Sequence, residues 1–221
     1  MFTIKIIFFD TETSGLDCRD CKIIELAMLT VENGEIVEEY DKFINIGQAL
    51  SPKIIGLTGI TNDMLRKEGH SEEIIARDLK ERLTNGTVMI AHNAQFDLSF
   101  VYFLLKRHYP LEADDIVKNV DWIDTVTVLK DRKKYPHKLV DAVHYYKIDD
   151  VNYHRAIDDT KALYEVTLAM KEERNDLVEY KNLFGFNPKY GPGYFKFSFI
   201  EYKPQPFRQG LAPAERILPK R

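Results

Sequence analysis

The run Ile4-Lys5-Ile6-Ile7-Phe8-Phe9 is apolar at nearly every position and shows no alternation, the pattern of a strand covered on both faces. Residues 22–30 and 35–46 are rich in β-formers and meet at Asn33-Gly34, which predicts a type I′ hairpin. A fourth short strand is predicted over residues 87–90 and a fifth over 120–123. Helical periodicity falls between and after them. Ser71-Glu72-Glu73 supplies a cap and first-turn acids for a helix whose Ile74, Ile75, Leu79 and Leu83 share a face. Residues 95–107 carry Phe96, Phe100, Phe103 and Leu104 at helical spacing, and residues 138–146 form a third helical stretch. The longest, 158–173, is expected to resume after Asn175 and stop at Gly185. A hairpin-bearing sheet followed by strand–helix alternation predicts an α/β sandwich with a mixed sheet.

Composition narrows the setting. The chain has 221 residues, 44% of them apolar, and a net charge of −4. These values exclude a disordered or collagenous chain, and two cysteines cannot staple a fold of this size. No apolar run approaches the roughly 18 residues that span a bilayer. The expectation is a soluble, intracellular, cytoplasmic protein without membrane contact. Charge is unevenly spread, however. From Asn187 onward there are seven cations against two anions, and six of the nine prolines. A boundary is therefore expected near Gly185, dividing residues 1–186 from a basic, Pro- and aromatic-rich extension, 187–221.

Three segments carry acids that suggest chemistry. Asp10-Thr11-Glu12 follows directly on the first strand, where alternate residues point the same way, so Asp10 and Glu12 project together. Two carboxylates so close repel unless a cation lies nearby, and hard oxygen ligands suit Mg²⁺ or Mn²⁺. The same residues also make good turn chemistry. Asp97 lies in the first turn of an apolar helix, where the helix dipole alone favours an acid. His92 and Asn93 beside it read as loop hydrogen-bonders. His154-Arg155-Ala156-Ile157-Asp158-Asp159 reads by itself as an ordinary polar helix start.

Taken together, Asp-x-Glu on a first strand, Asn-x-x-Phe-Asp at a later helix start and His-x-Ala-x-x-Asp opening a last helix resemble the DEDDh exonucleases. That 3′→5′ exonuclease family includes the proofreading epsilon subunit of bacterial DNA polymerase III and the exonuclease domain of polymerase C. Leu57-Thr58-Gly59-Ile60-Thr61-Asn62-Asp63-Met64-Leu65 is similar to the family's Gly-Ile-Thr loop, and Trp122-Ile123-Asp124-Thr125 to its fifth-strand exit. The resemblance spans about residues 4–170 and implies a ribonuclease-H-like fold with a five-stranded mixed sheet flanked by helices. It further implies that Asp10, Glu12, Asp97 and Asp159 hold two divalent metals, Mg²⁺ or Mn²⁺, with His154 as general base. Thr11 and Thr13 would present polar groups to the scissile nucleotide, and Leu16, Ile60 and Phe96 would wall its base and sugar. Plain core packing is the alternative for those three apolar residues. On an ideal helix His154 and Asp158 share a face, while Asp159 lies about 140° away. Helix geometry alone therefore favours Asp158, and the family pattern Asp159.

The implied activity is metal-dependent removal of nucleoside 5′-monophosphates from single-stranded or frayed 3′-ended DNA, as in proofreading or end trimming within a larger complex. An RNA-trimming exonuclease and a non-catalytic interaction subunit are the alternatives. Cys18 and Cys21 form a lone C-x-x-C without a second pair, and are read as incidental thiols. In the tail, residues 195–202 alternate aromatic with mostly polar positions, which predicts a strand with one very apolar face. That face is expected to recruit a protein partner by strand addition. Stacking on nucleic acid and packing against the chain's own core are the other two outcomes.

Overall fold

Strand β1 (Lys5–Thr13) lies at the centre of a five-stranded sheet, where its uninterrupted apolar run is covered on both faces. The computed structural model describes residues 4–148, 155–206 and 217–218, so His154 and the tail cations Arg208, Arg216, Lys220 and Arg221 lie outside the described residues. β2 (Ile23–Glu32) pairs antiparallel with β1, and β3 (Glu35–Phe43) pairs antiparallel with β2. Their turn is the predicted one: Asn33 and Gly34 both take positive φ, 54° and 85°.

Three helices follow, α1 (Pro52–Thr58), α2 (Asn62–Glu68) and α3 (Glu72–Arg82), each opened by a hydroxyl cap from Ser51, Thr61 or Ser71. The chain then enters β4 (Thr87–Ala91), parallel to β1, and passes through α4 (Ala94–His108) and α5 (Ala113–Lys118). β5 (Asp121–Asp124) is parallel to β4 and leads into α6 (Thr125–Arg132), α7 (Leu139–Tyr146) and α8 (Ala156–Glu173). The sheet order is β3-β2-β1-β4-β5, the mixed five-stranded arrangement expected. One face buries Ile7, Phe9, Leu26 and Met89 against α3 and α4; the other buries Phe8, Leu29, Val88 and Ile123 against α6 and α8.

The chain after α8 departs from the expected helix. α8 ends at Glu173, Arg174 is extended, and a 3₁₀ turn over Leu177–Tyr180 leads to a short strand, β6 (Leu183–Phe186). The physical reason is Arg132, whose side chain has no exposed surface. Its guanidinium donates to the carbonyls of Met170 (2.5 Å) and Arg174 (3.2 Å) and to the Asp176 carboxylate (2.6 Å). A buried cation thus ties the last turn of α8 to the extended residues that follow it, Arg174 and Asp176, and fixes the chain in that departure.

The tail also differs. The boundary expected near Gly185 falls inside β6, and β7 (Glu201–Pro204) pairs parallel with β6 from beyond it. The strand predicted over 195–202 is therefore only its last two residues, continued to Pro204. Phe195, Phe197 and Phe199 do not form a flat outward face. Phe195 stacks on Tyr102 of α4 (5.1 Å between centroids), and Phe197 meets the same ring edge-on at 5.4 Å. Backbone bonds fix this wrap: the Gln95 side chain donates to the Phe195 carbonyl (3.1 Å) and Phe195 N–H donates to Ser99 Oγ (3.3 Å). The aromatic face expected to recruit a protein partner covers the chain's own core instead.

That packing has a measurable weight. Phe197 is 6% exposed within the larger core cluster, and truncating a buried Phe costs about 3–5 kcal/mol. Phe197→Ala is expected to lower the unfolding free energy by that amount in urea titration. An unchanged midpoint would show that the tail is peripheral to the folded unit.

Candidate active site

Strand alternation sets the first two acids. Phe8 points into the core beneath α8, so Asp10 and Glu12, two and four residues on, emerge on the same face where the apolar run gives out. α8 lies across β1 and β2 on that face and brings Asp159 from its first turn. Carboxylate oxygens of Asp10, Glu12 and Asp159 all lie within 4.8 Å of one another. Asp97, in the first turn of α4, approaches from the other side and accepts a hydrogen bond from Thr11 Oγ1 at 2.7 Å. All four acids line one cavity of about 480 Å³. A second cavity, about 430 Å³, lies between Ile4, Phe8 and Leu168; among the described residues no acid or histidine lines it.

The seating of Asp159 depends on a residue in the sheet. Glu25 of β2 stands directly opposite Glu12, and its side chain is wholly buried. It accepts from Arg155 Nε (2.8 Å) and from the backbone N–H of Ala156 (3.2 Å), the first residue of α8. Arg155 is extended (φ −126°, ψ 133°) and also reaches Asp41 at 3.2 Å. The helix therefore begins at Ala156, with Arg155 as its N-cap. Asp159, rather than Asp158, faces Asp10 and Glu12.

A second carboxylate braces α4. Asp124, at the end of β5, caps α6 through the N–H groups of Val126 (3.1 Å) and Thr127 (3.2 Å). The same side chain accepts from Asn93 N (2.9 Å) and Ala94 N (3.2 Å), holding the turn that delivers Asp97. Asn93 adopts φ 73° there, a left-handed conformation that Asn tolerates better than most residues. His92 lines the cavity with both ring nitrogens engaged, by Thr125 Oγ1 and the His137 carbonyl, each at 2.9 Å.

Gathering these acids strains their ionisation. Burial pushes Asp10 well above the ordinary carboxylate range, and Asp97, Asp159, Glu12 and Glu25 push it further. Burial, then Glu25 and Asp159, raises Glu12 to about 7. Asp97 is pushed up to about 8 by burial, partly offset by the Thr11 hydrogen bond. Convergent hard oxygen donors that resist ionisation together are what a divalent cation would relieve, so the donor set fits Mg²⁺ or Mn²⁺.

The remaining expected site residues divide. Phe96 lines the cavity. Thr11 is committed to Asp97, and the Thr13 hydroxyl donates to the Gly15 carbonyl at 2.7 Å. Ile60 has no exposed surface and belongs to the core, so it cannot wall a nucleotide in this arrangement. Leu16 is 76% exposed and does not line the cavity. Cys18 is buried and Cys21 half-buried, both as free thiols. Glu25, Arg155, Asp124 and the cavity-lining Lys138 were not singled out from the sequence as site residues. A charged residue within the otherwise apolar β2 run was the one signal pointing to Glu25.

The raised pKa values carry a sign for the metal-free protein. Glu12 and Asp97 bind protons more tightly when folded than their ordinary values of 4.5 and 3.8 allow. Their contribution to stability is complete below about pH 4 and is lost as pH rises to about 8. The melting temperature in chelator is expected to fall across that window by at least about 5 °C. Mg²⁺ or Mn²⁺ should restore it at pH 8, and Asp10→Asn should flatten the pH slope and blunt the metal response. A melting temperature independent of pH and metal would rule out an ionisable cluster of this kind.

Comparison with known proteins identifies the family of the chain. Residues 7–167 match the RNase T family model, described as an exonuclease. The chain is 36% identical over 171 residues to the PolC-type DNA polymerase III of Bacillus subtilis, covering 76% of this chain and 11% of that polymerase. It is 30% identical over 189 residues to the corresponding polymerase of Lacticaseibacillus paracasei, covering 86% and 13%. The chain thus spans about an eighth of the length of these relatives. Among solved structures, Escherichia coli exonuclease I in complex with a dA16 oligonucleotide superposes with a TM-score of 0.68 at 18% identity, covering 80% of this chain and 42% of that one. That likeness extends to the ribonuclease-H-like fold. A family match over so much of the sequence settles kinship: the chain belongs to the RNase T exonucleases.

Proposed function

We propose that this protein is a metal-dependent 3′→5′ exonuclease that removes nucleoside 5′-monophosphates from single-stranded or frayed DNA, as a proofreading or 3′-end-trimming activity within a larger complex. The observation that carries the reading is the meeting of Asp10, Glu12 and Asp159 within 4.8 Å on one face of the sheet. A scaffold protein would have no reason to bury mutually repelling acids in an open cavity. Asp10, Glu12, Asp97 and Asp159 would hold two divalent cations. Bound there, such ions supply Lewis acidity toward water and the phosphodiester and offset charge on the departing oxygen.

The protein's own groups do the rest. His154, one residue before the anchored Arg155, takes a proton from the attacking water, whose oxygen bonds to phosphorus as the bond to the 3′-oxygen breaks. The departing 3′-oxygen takes a proton from solvent to become the new chain-end hydroxyl, and the released nucleotide carries the 5′-phosphate. Phe96 offers an apolar wall that does not discriminate among bases. Lys138, at the N-terminus of α7, is the one Lys or Arg lining the cavity among the described residues and suits a substrate phosphate. PolC-type polymerases as relatives and an exonuclease I complex with a DNA oligonucleotide support DNA as substrate.

Nucleotide release from labelled single-stranded DNA and RNA, with Mg²⁺ or with chelator, tests this directly. Release from DNA that stops in chelator is the expected outcome, while faster release from RNA would transfer the activity to RNA trimming. Asp10→Ala and Asp159→Ala should each leave less than about one-hundredth of the rate. Asp158→Ala should stay near the parent, and its loss instead would move the active register by one residue.

A further inference from the structure

The tail places an exposed aromatic beside the active-site wall. Phe96 of the cavity meets Tyr194 edge-on, with ring centroids 5.1 Å apart, and Phe100 supports Phe96 from behind at 4.8 Å. Tyr194 belongs to the stretch after residue 187, beyond the segment matched by the family model. It is 46% exposed despite its contact with Phe96, and Tyr190, four residues earlier in the chain, is 74% exposed. Its backbone sits at φ 57°, a left-handed conformation that a bulky L residue avoids because its Cβ crowds the backbone carbonyl. Flanking contacts hold it there. The Gln95 side chain, next to Phe96, donates to the carbonyls of both Gly193 and Phe195, and Phe195 stacks on Tyr102. Lys189 and Lys196 in the same stretch are exposed, and neither has an ion-pair partner among the described residues.

We propose that residues 189–196 form a stacking shelf for single-stranded DNA, with Tyr194 receiving the base that precedes the 3′-terminal nucleotide and Lys189 and Lys196 meeting the backbone phosphates. This rests on the exonuclease reading of the adjoining cavity. A strand leaving Phe96 passes first over the ring that touches it, and every base offers a π-face to an aromatic whatever its sequence. The loop turns Tyr194 outward at a conformational cost, while its neighbours Phe195 and Phe197 turn inward, so the exposed ring is not a remnant of core packing.

The test uses the full chain and variants Tyr194→Gly, Tyr194→Trp and Lys189→Gln with Lys196→Gln. Glycine suits φ 57° and keeps the loop folded, and tryptophan keeps the stacking face. With oligothymidylates of decreasing length as substrates, Tyr194→Gly should raise KM about 10-fold for an octamer. The effect should shrink toward the p-nitrophenyl ester of thymidine 5′-monophosphate, which has no preceding base. Tyr194→Trp should restore the octamer KM. Anisotropy of a fluorescein-labelled octathymidylate in Ca²⁺ reads binding without turnover, and there the lysine variant should flatten the log K against log salt slope by about 1.4. A KM change equal at all lengths, no change at any length, or unaltered octamer binding by Tyr194→Gly would overturn the shelf. Absence of metal-dependent hydrolysis in the parent would instead remove the exonuclease reading, and the binding series would still decide the shelf.

Discussion

Mutual repulsion among carboxylates is the constraint around which the rest of this structure is arranged. Asp10, Glu12 and Asp159 are pressed within 4.8 Å, and Asp97 adds to the field at Asp10. Nothing about such a cluster is favourable in itself, since each member is desolvated and faces like charge. It persists because each acid is mounted on an element whose position is determined elsewhere. Two come from the central strand, where apolar burial on both faces leaves no freedom, and the others come from the first turns of two helices packed on opposite faces.

Two further carboxylates do the mounting, and both use the same device. Asp124 receives N–H groups from the turn before α4 as well as from the start of α6. Glu25 receives the first N–H of α8 together with the Arg155 guanidinium. Helix N-termini carry unsatisfied donors, so an acid projected from the sheet can take hold of one and fix the direction of the whole helix. The acids of the cavity and the acids that aim them are therefore adjacent in space and opposite in role. Glu25 has its cation, whereas Glu12, facing it across the ladder, points into the cavity.

How much of this was legible depends on whether local spacing decided the outcome. Asp10 and Glu12 were readable because alternation on a buried strand leaves them one direction to point. The hairpin at Asn33-Gly34 was readable because two positive φ values call for those residues. Choosing between Asp158 and Asp159 turned on where α8 begins. Glu25, some 130 positions earlier, sets that start, and local spacing pointed to the wrong neighbour. The end of α8 was lost for the same reason, through Arg132 of α6 reaching the Met170 and Arg174 carbonyls on either side of it. Ile60 resembled a substrate wall by motif and proved to be core, since apolar side chains near a site serve packing and recognition alike. In the tail, alternation suggested a flat face, while Tyr102 on α4 drew the rings into a wrap.

The sheet order has a consequence for how the molecule assembles. β1 finds β2 through a two-residue turn, yet the acids it carries meet Asp97 only after β4 has docked, and Asp159 only after α8 closes over the far face. Contacts of such long sequence separation cost loop-closure entropy before they return any stabilisation. Until those contacts close, the chain is spared the electrostatic conflict that its finished form contains. A conflict confined to the native side of the barrier would shorten the lifetime of the folded molecule more than it would slow its formation. An ion that binds only the assembled cluster would act at that same late stage, prolonging the native state and leaving the route to it untouched.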